Sequence, residues 1–136
     1  MHVIVCLDNQ NGMLFNHRRQ SRDRAVIVDI LQNLEGRLLK VRKFSEDIFP
    51  VDGETIWVSD QSPEDVAENQ VCFLEDAPLS PVLDRITTLT IYRWNRDYPG
   101  DLYLDIDPVA AGLTLQARTE FPGYSHDKIT KEVYVK

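Results

Sequence analysis

Apolar residues come in two kinds of block along this chain. Short β-branched runs read as strands, and one longer stretch with helical spacing reads as a helix. "HVIVCLD" (2–8) is almost wholly apolar and predicts a buried strand. A polar loop is expected over 9–21. A helix of about a dozen residues follows in "DRAVIVDILQNLEG", where Val26, Ile27, Ile30, Leu31 and Leu34 share one face. Gly36 stands where a left-handed C-terminal cap is wanted. "RLLKVRK" (37–43), "TIWVS" (55–59) and "QVCFL" (70–74) predict three further strands. "FSEDIF" predicts a short helical turn capped by Ser45, with Glu46 and Asp47 at its positive end. "SPEDVAEN" has the chemistry of a helix start: Ser62 as cap, Pro63 next, then two acids.

The second half reads differently. "EDAPLSPVLD" carries two prolines and cannot form a long helix. The rest is β: "RITTLTIYRW", "DLYLDID", "LTLQARTEF" and "KITKEVYVK". In "DLYLDID", Leu102, Leu104 and Ile106 alternate with Tyr103, Asp105 and Asp107, so one face is buried. "YRWNRDYPGD" predicts a hairpin whose aromatic rings pack on the sheet, and "FPGYSHD" a turn into the last strand. β-α-β units followed by a run of strands predict one α/β domain over 1–136. Its mixed sheet has a parallel N-terminal half, an antiparallel C-terminal hairpin and few helices.

Charge narrows the partners. The chain is 136 residues long with 22 acidic and 15 basic residues, a formal net charge of −7. That balance argues against a duplex-binding surface, which needs many Lys and Arg facing phosphates. No apolar run approaches the length of a membrane span and no export signal opens the chain, so a cytoplasmic protein is expected. Cys6 and Cys72 lie in apolar runs and read as buried thiols. The three histidines, His2, His17 and His126, are scattered, and no metal site is expected.

Several of these segments resemble the dihydrofolate reductase family. The first strand with "DNQNGMLFN" is similar to that family's first strand and flexible substrate loop. "LYLDID" resembles its late strand, and "LTLQARTEFPGYSHDKITKEVYVK" its closing hairpin. The chain also resembles a group of short bacterial proteins, some labelled ribonuclease Z, although the His-x-His-x-Asp-His motif of that nuclease family is absent. In the reductases an acid on the first helix binds the pteridine ring and helps to protonate it. The resemblance assigns that place to Asp23, eleven positions after Gly12. A carboxylate looking into a cleft there is expected to have a raised pKa; the other reading of Asp23 is a helix N-cap.

The cofactor segments depart from the family pattern. The reductases hold NADPH on adjacent glycines after a late strand, at a helix start. None of the six glycines here are adjacent, and Glu75-Asp76 follows "VCFL" where the pair is expected. Arg42 and Lys43 in "VRKFSED" resemble the family's basic helix start and are candidate phosphate contacts. Asp60 in "VSDQS" replaces the family's arginine. No cofactor is therefore expected, NADPH being the cofactor if the chain is an active reductase.

The segment "NGMLFNHRRQSRD" (11–23) borders the expected cleft. Met13, Leu14 and Phe15 are candidate apolar walls; His17, Arg18, Arg19 and Arg22 are candidate anion contacts. A solvated Arg-rich loop is the plainer reading. His126, beside Asp127, fits ordinary turn chemistry better than acid–base work. Three functions follow: a reductase-like domain that binds a small anionic or nucleotide-like ligand without hydride transfer; an active NADPH-dependent reductase; and an interaction module with a vestigial cleft, paired as a homodimer through strand edges.

Overall fold

The computed structural model describes residues 1–50, 54–60 and 70–136. β1 (His2–Leu7) lies near the middle of a seven-stranded sheet. Its neighbours are β6 (Val71–Phe73) and β7 (Thr88–Arg93), both parallel to it. Beyond β6 come β4 (Leu39–Val41) and β5 (Ile56–Val58), again parallel. On the other side β10 (Ile129–Val135) runs antiparallel to β7, and β9 (Thr114–Phe121) antiparallel to β10. The expected parallel half and closing hairpin are therefore both present.

Period-two alternation splits the core between the two faces of this sheet. Val3, Val5 and Leu7 of β1 pack with Leu74, Leu79, Val82, Leu89 and Ile91. Ile4 points the other way, towards Val26 and Ile30 of the single described α-helix, α1 (Arg24–Gln32). Cys6 and Cys72 are free thiols in β1 and β6, and burial pushes both above the ordinary thiol value. No helix among the described residues is long and apolar enough to cross a membrane.

Four local expectations need correction. The polar loop over 9–21 contains a small hairpin of β2 (Gly12–Phe15) and β3 (Arg18–Arg19). Its turn places Asn16 and His17 at φ +52° and +60°, as a two-residue turn matched to strand twist requires. α1 ends at Gln32, earlier than its apolar spacing implies. Asn33 closes it, and Gly36 takes its left-handed conformation (φ +81°) in the turn beyond. The turn at Lys43–Ile48 is a 3-10 helix whose start has no side-chain cap. Ser45 is buried within it and donates to Glu75 instead.

The fourth correction concerns "DLYLDID". Only Leu102–Tyr103 forms a strand, β8, and it pairs with β2 in a separate three-stranded sheet. The segment after β7 is thus no hairpin, although Tyr92 and Trp94 are buried as expected. The alternation persists without the strand, because the outward acids serve as turn acceptors. Asp105 receives the amides of Leu79 and Ser80, and Asp107 those of Val109 and Ala110. The proline-bearing segment forms a second short 3-10 helix, Ser80–Arg85. The helix start expected at Ser62 lies outside the described residues.

Candidate functional site

Asp23 precedes α1 with extended backbone (φ −150°), and its carboxylate accepts the Ala25 amide at 2.9 Å. This is N-cap geometry. The same carboxylate reaches across to the turn between β9 and β10. There it accepts the amides of Tyr124 and Ser125, both at 2.9 Å, and the Ser125 hydroxyl at 3.2 Å. The turn can come this close only because residue 123 is glycine. A Cβ there would lie 2.5 Å from the carboxylate and 2.8 Å from the His126 carbonyl oxygen. Burial pushes the Asp23 pKa up, but the donors from Tyr124, His126, Ser125 and Ala25 outweigh it. They hold the group well below the usual carboxylate range. The raised value expected from a cleft-facing acid is thus reversed.

His126 completes the cluster. It is buried, and its Nδ1 lies 2.9 Å from Asp23 Oδ2, 103 positions away in the chain. Because the ionised carboxylate only accepts, Nδ1 carries the proton in this contact. Nε2 then faces two hydroxyls, those of Ser21 and Tyr98, each at 3.0 Å. The Tyr98 hydroxyl lies 3.3 Å from Ser21 Oγ. Trp94 stacks on one side of the imidazole, with ring centroids 4.8 Å apart and planes 20° apart. Tyr98 stands edge-on to it at 6.5 Å. Ring packing and hydrogen bonds together fix the imidazole's plane and direction.

Two open cavities adjoin this cluster. One, of about 430 Å3, is lined by Arg22, Asp23, Arg24, Ile27, Asp47, Ile48, Tyr124 and Ser125. The other, of about 440 Å3, is lined by Phe15, Asn16, Arg18, Arg19, Gln20, Tyr98 and Pro99. Ser21 lies in the chain between Gln20, on the second cavity, and Arg22, on the first. Among the described residues, Arg18, Arg22 and Arg24 form no ion pair. The Arg24 guanidinium lies 5.5 Å over the Tyr124 ring.

The other candidate contacts are placed differently. Met13 and Leu14 are core residues, while Phe15 and His17 are exposed. Arg19 is held by Glu75 through contacts of 2.6 and 2.9 Å, with Asp47 at 3.1 Å on its outer side. Ser45 Oγ donates to the same Glu75 at 2.7 Å. Arg42 is paired with Asp76 at 2.9 Å. Lys43 is exposed, and its backbone amide donates to Asp60. Among the described residues, no group of three or more His, Cys, Asp or Glu could hold a metal ion. Ser21 is the site residue that sequence reading missed, and His126 the one it assigned to turn chemistry. The neighbouring Asp127 drew attention, whereas the true partner comes from the far end of the chain.

No protein-family model and no curated protein matches the chain. The likeness to short proteins labelled ribonuclease Z finds no support in either comparison. Among solved structures, the chain is similar to dihydrofolate reductase from Enterococcus faecalis, complexed with NADP(H) and RAB-propyl. The TM-score is 0.70 over 98% of this chain and 94% of that one, at 11% sequence identity. At that identity the likeness concerns architecture, and the chain has the dihydrofolate reductase fold.

Proposed function

We propose that this protein is a reductase-like domain that binds a small anionic or nucleotide-like ligand beside Asp23, without nicotinamide-dependent turnover. The observation that supports the second half is the pairing of Arg19 with Glu75 and of Arg42 with Asp76. The family resemblance puts the cofactor's phosphates at residues 74–78. There the chain's own carboxylates already neutralise the nearest cations. A diphosphate would have to displace two ion pairs and then sit against two negative charges. The residues present do not fit it.

The first half rests on the opposite arrangement around Asp23. Among the described residues Arg22 and Arg24 form no ion pair; both line the cavity of about 430 Å3, where Asp47 feels Arg22's charge, and Ile27 and Ile48 offer apolar contact. Cationic forks next to an apolar wall suit a flat ligand bearing a phosphate or carboxylate. Thermal-shift measurements against nucleoside monophosphates, pteridines and phosphate esters test this. At least one class raises the melting temperature, and the Arg22→Ala/Arg24→Ala double variant loses the shift. If no class raised it, the reading would fail on its ligand. If NADPH were oxidised with dihydrofolate, it would fail on its chemistry.

A further inference from the structure

The atoms around His126 follow an order that ligand binding does not require. Ser21 Oγ is 3.0 Å from Nε2, and Nδ1 is 2.9 Å from a buried carboxylate. Both distances lie within the range over which a base activates a hydroxyl and a carboxylate orients the base. Three further residues, Tyr124, Ser125 and Ala25, donate to that carboxylate, so it is fixed in place. The ring is clamped by Trp94 and Tyr98. His126 is closed off; Asp23, though buried, borders the cavity of about 430 Å3, and Ser21 is half-buried, standing in the chain between the cavity-lining Gln20 and Arg22.

We propose that Ser21 is a nucleophile, with His126 as its general base and Asp23 orienting that base, and that the site hydrolyses small carboxylic esters. Ser21 Oγ bonds to the ester carbonyl carbon as its proton passes to Nε2. The bond from that carbon to the alcohol oxygen then breaks, and Nε2 returns the proton to the departing alcohol. Water attacks the acyl-serine in the same way. Its proton passes through Nε2 to Ser21 Oγ as the acid leaves, so ester and water become acid and alcohol. Tyr98 is a positioning residue, holding the imidazole edge and lying 3.3 Å from Ser21 Oγ. The nucleophile stands independently of the ligand reading above. A preference for esters carrying a second, anionic group rests on that reading, through Arg22 and Arg24.

Diisopropyl fluorophosphate, a neutral reagent that reacts with activated serines, separates the two. Treatment of the folded protein places one adduct on Ser21, located by peptide mass spectrometry, with release of fluoride. Ser21→Ala abolishes the adduct. His126→Gln slows it roughly 100-fold, as loss of a general base does, with melting curves confirming that both variants fold. No adduct at Ser21, an adduct on Tyr98 in its place, or equal rates with and without His126 would overturn the proposal. If His126→Gln failed to fold, a wild-type burst of p-nitrophenol from p-nitrophenyl acetate, absent in Ser21→Ala, would sustain it; no burst would overturn it. Faster hydrolysis of p-nitrophenyl hemisuccinate than of the acetate supports the anionic preference. Equal rates would overturn that preference and leave the nucleophile standing.

Discussion

Two clusters in this fold each contain a buried carboxylate, and they differ in what faces it. After β6, Glu75 meets Arg19, and its neighbour Asp76 meets Arg42. Charge answers charge within the chain, and the region where the reductase resemblance puts phosphates is electrostatically complete. At the start of α1, Asp23 meets three amides, a hydroxyl and an imidazole. Here the anion is satisfied by dipoles and ring, and among the described residues Arg22 and Arg24 form no ion pair. The lesson is that a buried carboxylate closes a site when its partner is a fixed cation. It organises a site when its partners are donors that have other atoms to offer.

Breaking the Asp23 cluster has the largest expected effect. Asp23→Ala leaves several buried donors without an acceptor and costs about 4 kcal/mol, read from urea unfolding. Gly123→Ala drives a Cβ against the same carboxylate and weakens it in the same direction, by about 2 kcal/mol. At the other cluster, the Glu75→Gly/Asp76→Gly double variant releases Arg42 from Asp76 and leaves Arg19 only its outer ion pair with Asp47. It costs about 3 kcal/mol in stability, yet raises affinity for NADPH at least tenfold by fluorescence titration. An unchanged affinity would mean that charge is not what excludes the dinucleotide.

His2 sharpens the contrast, because it faces cations where His126 faces an anion. Its Nε2 contacts Thr90, and burial, Arg37, Lys131 and the chain's amino terminus lower its pKa from 6.5 to about 4. The folded value lies below the unfolded one, so the folded state binds fewer protons. Stability from this group is full above pH 6.5 and falls as the pH drops towards 4, by roughly 1–2 kcal/mol for a part-exposed ring. His2→Gln removes that slope, as urea midpoints across the range would show. The smallest effect is expected from Asp47→Asn, which loses only the exposed side of the Arg19 network, about 0.5 kcal/mol or less.

The parallel half and the closing hairpin were legible because buried strands announce themselves by short β-branched runs, and α1 by its spacing. The N-cap reading of Asp23 was equally local: an acid before an apolar helical stripe. What lay beyond reach was contact between distant positions. Nothing in residues 120–127 marks His126 as Asp23's partner, since turn chemistry favours the same Ser and Asp around it. The Arg19–Glu75 pair joins a hairpin to a strand end 56 positions away. The β2–β3 hairpin was hidden because its turn uses Asn and His at positive φ, where glycine is the usual signal. Polar composition made it look like loop.

β9 has a consequence for how this protein behaves when concentrated. All but the last of its residues are exposed, and among those described no strand pairs with its outer side. A row of open amides and carbonyls invites sideways stacking of molecules into fibres. Arg118 and Glu120 stand on that strand as guards, each resisting the dehydration that stacking demands. Neutralising them would trade solubility for self-association.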